Sequence, residues 1–295
     1  MLRTLLYTLL LFSLIFCTPK AQEAKATSDN LGPLHTVFKF PKKIKEVSGI
    51  QISPDGKEFY VHEDQGNRNE IFAVGMDGNL VRTITIEGVE NNDWEDIAQD
   101  KNGFTYIGDF GNNDNDRKNL AIYKVKIDKE NNTPVLQTTK FSYPEQTEFP
   151  PNKKSLLYDC EAFLEYNGYF YLFTKNRSKK FDGTSLVYKI PNKQGDFKAQ
   201  LVGELKLPGK YNDAAVTGAD ISPNGKKIAL ITHKNVFILE NFEADNFANA
   251  KTTQIDLQSN SQKEGICFST DTMLYIGEER NNKDEGNLYS MELPD

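Results

Sequence analysis

Short runs of β-branched and aromatic residues recur along residues 33–295, and turns rich in Gly, Pro, Asn and Asp separate them. No sustained helical period interrupts this pattern, which is typical of an all-β chain. In the first part of this region the pattern predicts four strands: Gly49 to Ser53, Glu58 to His62, Glu70 to Val74 and Leu80 to Ile86.

These strands belong to an internal repeat. The segment from Val47 to Lys57 matches the segment from Val216 to Lys226 almost position by position. Looser copies of its start occur at Glu95, Glu161 and Glu264. The units therefore start at 48, 95, 161, 217 and 264, at intervals of 47, 66, 56 and 47 residues.

Four-stranded units at such intervals predict the blades of a β-propeller. We expect five blades, with six as the alternative if the interval of 66 residues contains further strands. The last unit supplies three strands, the final one from Gly286 to Glu292. The apolar alternation from His35 to Phe40 predicts an N-terminal strand that completes this blade, closes the ring and removes a sheet edge.

The N-terminus has the layout of an export signal. Arg3 precedes an apolar run from Leu5 to Phe16, and Cys17 follows it. Residues 1–21 are therefore interpreted as a signal peptide or a lipoprotein signal, with cleavage near Ala21 and lipidation of Cys17 both open. Residues 22–32 are polar and predict a flexible tether, and residues 33–295 a single propeller domain. The expected location is periplasmic, outer-membrane-anchored or extracellular, with membrane contact only through Cys17.

The charge balance restricts the class of partner. The formal net charge is -7, which argues against nucleic acid because a nucleic-acid binder needs a basic surface. Apart from Cys17, the chain has only Cys160 and Cys267, so it has no disulfide framework. We expect a monomer whose partner is a small molecule, a glycan or a peptide.

Acidic residues recur where the predicted blades begin and turn back. In a propeller the start of each innermost strand and the end of the second strand lie together at one mouth of the channel. Six carboxylates occupy these positions: Glu95, Asp109, Glu161, Glu264, Glu63 and Glu278. Oxygen ligands without His or Cys pairs favour Ca²⁺ or Mg²⁺, so the sequence predicts a Ca²⁺ site. The alternative is that these groups bind neighbouring blades and lock the ring.

Other side chains near the same mouth are candidates for contact with a ligand. They are the cations, histidines and tryptophan at Arg177, Arg280, Lys175, His62, His233 and Trp94. The cations could instead neutralise the acids, the histidines could be structural, and the tryptophan could pack between blades. No established catalytic motif is present, so the catalytic residues are unknown.

Several motifs also resemble those of a family of exported bacterial β-propellers: Asp93 to Ile97, Tyr106 to Asn112, Asp159 to Ala162 and Val216 to Ser222. More distantly, the strand starts are similar to those of SdiA-regulated and phytase-like propellers. Characterised phytase-like relatives use calcium on an acidic face to hydrolyse phosphate esters. Glu95, Asp109, Glu161 and Glu264 match the acidic pattern. Asn112 departs from the more usual Asp, which weakens one expected ligand.

Two functions follow as hypotheses. The first is an envelope or secreted propeller with a binding or scaffold role and a divalent cation at the acidic mouth. The second is a calcium-dependent phosphoester or ester hydrolase of phytase-like type. The fold does not choose between them, because propellers support many activities. Whether the protein is an enzyme is therefore left open.

Overall fold

The computed structural model describes residues 33–294, and their regular structure is almost entirely β. Five sheets form the five blades of a propeller, which confirms the predicted fold class and blade number. The predicted signal, the tether and Cys17 lie outside the described residues. Within residues 33–294 no helix is long and apolar enough to cross a membrane.

Each blade is an antiparallel sheet whose first strand lies at the propeller axis. Strand β1 (His35–Lys39) begins the described chain. The first blade contains β2 (Val47–Ile52), β3 (Glu58–Glu63), β4 (Glu70–Gly75) and β5 (Leu80–Glu87). The second contains β6 (Trp94–Gln99), β7 (Thr105–Asp109), β8 (Ala121–Val125) and β10 (Gln137–Ser142).

The remaining blades follow in chain order. The third contains β11 (Asp159–Tyr166), β12 (Tyr169–Lys175), β13 (Thr184–Pro191) and β15 (Gln200–Lys206). The fourth contains β16 (Gly218–Ile221), β17 (Lys227–Ile231), β18 (Asn235–Glu240) and β19 (Lys251–Asp256). The fifth contains β20 (Lys263–Phe268), β21 (Met273–Glu278) and β22 (Asn287–Glu292).

The N-terminal strand closes the ring as predicted. Strand β1 pairs antiparallel with β22 and becomes the outermost strand of the fifth blade. The guanidinium of Arg280 donates to the Phe40 carbonyl at 2.6 Å, and the Arg280 amide donates to the Lys45 carbonyl at 2.7 Å. These contacts attach the beginning of the described chain to its end.

The alternative of six blades is wrong. Besides the four strands of the second blade, the 66-residue interval holds only the short strand β9 (Asn132–Pro134), which pairs parallel with β5, and a connection over residues 143–158. Strand β14 (Gly195–Lys198) similarly extends the second blade by pairing parallel with β10. Two short helices lie in connections, α1 (Tyr211–Ala214) and a 3-10 turn (Phe247–Asn249).

The hydrophobic core consists of five clusters, each between two adjacent blades. Between the second and third blades, for example, Tyr106, Phe163 and Phe170 are fully buried and their rings make edge and tilted contacts. Successive side chains of a strand point to opposite faces of the sheet, and each blade buries both of its faces against the two adjacent blades. This explains why the inner strands are almost continuously buried.

Two buried carboxylates, Asp96 and Asp220, accept hydrogen bonds from other blades near the axis. Asp96 is fully buried and accepts hydrogen bonds from the amides of Phe163 at 3.0 Å and Ala219 at 3.2 Å. Asp220 accepts from the Phe268 amide at 2.8 Å. The second, third, fourth and fifth blades are thereby linked, and the two ends of the channel form separate cavities.

Candidate functional site

A cavity of about 240 Å³ lies at the axis where the innermost strands begin. We call it the axial cavity. The first, second, third and fifth blades each contribute charged side chains to its wall, and the helix α1 contributes Tyr211. The principal charged lining residues are Glu46, Asp64, Glu95, Glu161, Lys175, Arg177, Glu264 and Glu279.

The same backbone feature, a β-bulge, directs three of the carboxylates into the cavity. The pairing register of the innermost strand shifts between Trp94 and Asp96, between Cys160 and Ala162, and between Lys263 and Gly265. The residue left out of the pairing is Glu95, Glu161 or Glu264 in the respective blade. Such bulges redirect a side chain and are frequent beside functional sites. Here the redirected side chains line the axial cavity.

Lys175 and Arg177 form a cationic wall that is already paired with acids. Lys175 Nζ lies 2.5 Å from Glu161 Oε2, and Arg177 Nε lies 2.6 Å from Asp159 Oδ2. Arg177 also pairs with Glu161. Burial by itself would lower the pKa of Lys175, but the charge of Glu161, followed by Glu264, outweighs it and raises the pKa above its ordinary value. Both cations are therefore charged, and nearby carboxylates largely neutralise them.

Glu95 has a different environment. It is 7 % exposed, and no ion pair reaches it from any residue between 33 and 294. Its polar neighbour is another buried acid, Asp93, with which its carboxyl shares a hydrogen bond. A side chain at Gly111 would overlap both carboxyls, so the close approach of the loop requires glycine there.

Burial and neighbouring charges favour the protonated form of the carboxyl pair of Asp93 and Glu95. Burial, followed by the charges of Glu161 and Asp93, raises the pKa of Glu95 well above its ordinary value. Burial, followed by the charge of Asp159, raises the pKa of Asp93 to about 6. Two carboxylates in contact cannot easily both ionise, so a proton on either carboxyl relieves the repulsion between them.

The axial cavity also has an acidic wall, made of Glu46, Asp64, Glu264 and Glu279. Burial and the neighbouring charges of Glu46 and Asp93 raise the pKa of Asp64 to about 7. Burial and the charges of Glu264 and Asp64 raise the pKa of Glu279 to about 8. A positive charge placed in the cavity would relieve this repulsion.

The surroundings of Glu264 favour its ionised form. Burial would raise its pKa, but the charge of Lys175 and the nearby His233 outweigh burial and lower the pKa. His233 Nε2 lies 3.4 Å from Glu264 Oε1. His233 is therefore placed to support the charge of Glu264 at the edge of the cavity.

The structure brings together half of the residues that the sequence singled out. The ones in the wall of the axial cavity are Glu95, Glu161, Glu264, Lys175, Arg177 and His233.

Three predicted metal ligands lie outside the cavity. Glu63 accepts from the Lys45 amide at 2.7 Å, Asp109 pairs with Arg117 at 2.8 Å, and Glu278 accepts from the Tyr289 hydroxyl at 2.9 Å. These residues end the second strands, and neighbouring positions in a strand face opposite sides. In the first and fifth blades the next residue, Asp64 or Glu279, lines the cavity instead. The predicted positions were therefore one residue too early in these two blades.

Three predicted ligand-binding residues also lie elsewhere. His62 is fully buried, and burial lowers its pKa to about 4, so it is neutral at physiological pH. Its ring contacts Trp94, which is fully buried in the core between the first two blades. Arg280 binds the Phe40 carbonyl at the ring closure. The structural alternatives therefore describe these three side chains better than contact with a ligand does.

The sequence interpretation missed Glu46 and Tyr211 as cavity residues. Glu46 is exposed and lies two residues before the first repeat unit, a position where Asp93 and Asp159 stand in other blades. This equivalence with Asp93 and Asp159 could have identified Glu46 from the sequence. Tyr211 lies on α1 in a connection whose polar sequence has no strand or repeat pattern, and only the folded chain brings it to the axis.

The predicted calcium ligands do not meet as a preformed metal centre. Glu161 is paired with Lys175 and Arg177, and Glu264 faces His233. Within residues 33–294 no three His, Cys, Asp or Glu side chains are grouped so that they could hold a metal ion. Calcium binding therefore stays a prediction of the sequence.

Comparison with known proteins identifies relatives of the fold. No family model and no curated protein matches the chain. Among solved structures, a PQQ-bound aldose sugar dehydrogenase from Streptomyces coelicolor has a TM-score of 0.51 and 10% identity, over 88% of this chain and 97% of that chain.

Two further structures are similar at lower scores. Hydrazine synthase from Kuenenia stuttgartiensis has a TM-score of 0.45 and 15% identity, over 80% of this chain and 72% of that one. Virginiamycin B lyase from Staphylococcus aureus has a TM-score of 0.40 and 13% identity, over 84% of this chain. The match spans 66% of the lyase chain. All three neighbours are β-propeller proteins, and the aldose sugar dehydrogenase, at 10% identity, supports the fold alone.

Proposed function

We propose that this protein is an exported β-propeller that binds a small ligand with an organic ammonium group in its axial cavity. The buried carboxyl pair of Asp93 and Glu95 carries the proposal, because Glu95 lines the cavity and neither carboxyl forms an ion pair with another residue between 33 and 294. A buried carboxylate without a counter-charge is costly, so a positively charged ligand would be favoured there.

The charge distribution supports the same ligand class. The acidic wall adds four carboxyl groups, whereas the two cations of the cavity are already paired. An ammonium group offers three hydrogen-bond donors and so suits several separate carboxylates. Tyr211 supplies an aromatic ring at the same cavity, and such rings attract cations. The volume of about 240 Å³ restricts the bound group to a small one.

An organic cation fits the cavity better than calcium does. Calcium requires six to eight oxygen ligands at short distances around one point. The cavity instead spreads its acids over two walls, and the described residues contain no metal-binding group. The calcium-bound scaffold and the phytase-like hydrolase remain as alternative predictions from the sequence resemblance.

Isothermal titration of the purified protein tests the proposal. Putrescine (1,4-diaminobutane) and ethanolamine serve as ammonium probes, with tetramethylammonium and CaCl₂ as comparisons. We expect putrescine or ethanolamine to bind with release of a proton from the carboxyl pair. Glu95→Gln should weaken this binding roughly 30-fold, which corresponds to about 2 kcal/mol for loss of a buried charge partner.

Glu165→Gln is the matched control, because Glu165 lies on the same kind of innermost strand but at the opposite channel end. It should leave the affinity unchanged. Absence of binding by both amines would overturn the proposal. Binding of CaCl₂ that disappears in Glu95→Gln would favour the calcium site instead.

A further inference from the structure

The first residue of β20, Lys263, is a fully buried lysine. Lysines are almost never completely buried unless they are paired with an acid. Among residues 33–294 no carboxylate lies within ion-pair distance of Lys263. The axial cavity does not include this side chain either. A buried lysine with neither role requires another explanation.

Two serine hydroxyls surround the Lys263 amine. Its Nζ lies 2.7 Å from Ser261 Oγ and 2.9 Å from Ser259 Oγ. The two hydroxyl oxygens are 3.3 Å apart. More distant contacts reach the carbonyls of Ser261 at 3.4 Å and His233 at 3.5 Å. The three side chains thus form one hydrogen-bonded group in the loop between β19 and β20.

The surroundings increase the share of the uncharged amine that a base requires. Burial lowers the pKa of Lys263 to about 8, although the charges of Glu278 and Asp284 oppose this shift. The Tyr289 ring is the aromatic neighbour, with its centre 5.9 Å from Nζ. A neutral lysine amine beside a serine hydroxyl can take its proton, as in the Ser-Lys variants of serine hydrolases.

Ser259 is the accessible member of the group. Ser261 is buried, whereas Ser259 is half-buried and lines a second cavity of about 410 Å³. We call it the rim cavity. Its other walls include polar side chains, namely Asp213, Lys234, Asn235, Gln254 and Asp256. The rim cavity and the axial cavity share no lining residue.

We propose that Ser259 is the nucleophile of a second site, which cleaves small polar carboxylic esters with Lys263 as its base. Ser261 holds the Lys263 amine toward Ser259. The polar walls of the rim cavity suit a hydrophilic acyl group. The backbone amides of Asn260 and Ser261 donate no hydrogen bond to residues 33–294, so they are free to polarise a carbonyl oxygen.

The reaction balances without a metal ion or a redox partner. Lys263 Nζ takes the Ser259 hydroxyl proton while Oγ bonds to the ester carbonyl carbon. The bond from that carbon to the alcohol oxygen then breaks, and the alcohol leaves with the proton from Lys263. Water attacks the resulting acyl-serine, Lys263 passes the proton of that water to Ser259 Oγ, and the carboxylic acid is released.

Labelling of the full chain with a fluorophosphonate probe tests this assignment, because the probe forms a stable adduct only with an activated serine. We expect peptide mass spectrometry to find the adduct on Ser259. Ser259→Ala should abolish it, and Lys263→Met should reduce the labelling rate at least about 100-fold. Hydrolysis of p-nitrophenyl acetate should fall in parallel with labelling.

Ser155→Ala replaces an exposed serine far from this loop and serves as the matched control, with unchanged labelling expected. Ser259 is partly exposed, so its variant should keep the melting temperature of the parent protein. If Lys263→Met fails to fold, Ser261→Ala removes the 2.7 Å contact with a smaller change and should slow labelling. Absence of an adduct on Ser259 in the parent protein would overturn the proposal, as would an equal labelling rate in folded Lys263→Met.

Discussion

The direction of a single side chain decides what each acidic residue of this propeller does. Glu95 leaves the strand pairing at a bulge and faces the axial cavity. Asp96, its immediate neighbour, points to the interior and accepts amides from two other blades. One carboxylate is thus available to a ligand, and the next one holds the ring together.

The raised pKa values of Asp64 and Glu279 predict how stability changes with pH. Both carboxyls have pKa values of about 7 and about 8 in the folded protein, above those of an unfolded chain. A raised pKa contributes stability that is full below the unfolded value and is lost as pH rises through the folded value. The ligand-free protein should therefore lose stability between about pH 4 and pH 8.

Melting curves recorded from pH 4 to pH 9 check this prediction. Glu279→Gln keeps a hydrogen-bonding side chain but removes the ionisation, so its melting temperature should fall less steeply toward pH 8 than that of the parent protein. Equal slopes for the two proteins would show that Glu279 does not contribute. An ammonium ligand should restore part of the loss, because it neutralises the same wall.

At the scale of elements, hydrogen bonds between innermost strands supplement the hydrophobic clusters. Ser48 donates to the Glu95 carbonyl at 2.6 Å, and Thr217 donates to the Lys263 carbonyl at 2.7 Å. Asp96 joins three blades, since its partners Phe163 and Ala219 belong to the third and fourth blades. The polar atoms at the axis are therefore part of the packing between blades.

Asp96→Ala should lower the free energy of unfolding by at least about 3 kcal/mol, because it leaves the buried amides of Ile97, Phe163 and Ala219 without this acceptor, at about 1–3 kcal/mol each. Urea unfolding measures this change. Asp55→Ala is the control, since Asp55 is an exposed turn residue and its replacement should cost much less. A loss below about 1 kcal/mol for Asp96→Ala would show that the axis tolerates unpaired amides or admits water.

At the scale of the whole molecule, ring closure depends on a strand that is distant in sequence from its partner. Strand β1 covers the edge of β22, and Phe38 packs against Phe40 and Phe59. An uncovered strand edge offers unpaired amides and carbonyls to other chains. The closing strand thus both stabilises the fifth blade and protects it from association.

A chain that begins at Phe40 should melt at least about 5 °C below one that begins at Pro33, which corresponds to roughly 2 kcal/mol for a protein of this size. It should also self-associate through the exposed β22 edge. Calorimetry and size-exclusion chromatography measure the two effects. Unchanged melting together with a monomeric elution volume would show that β1 is dispensable for closure.

Much of the architecture could be predicted because it depends on local and repeated patterns. Alternation of apolar residues identified the strands, and the match between Val47–Lys57 and Val216–Lys226 set the repeat. The blade number and the role of the N-terminal strand followed from these two features. The short parallel strands β9 and β14 were missed, since their pairing joins segments without a local signal.

The propeller, and the concentration of acids at one end of its axis, could be inferred from the amino-acid pattern alone. Which acids meet in a cavity depended on the folded chain, because a bulge or a shift of one residue reverses the side of the strand that a side chain faces. The folded chain also set the partner of each carboxyl group: Glu161 binds Lys175, whereas Glu95 shares a hydrogen bond with Asp93. These contacts join residues from different elements and distinct loops, so no local pattern in the chain records them.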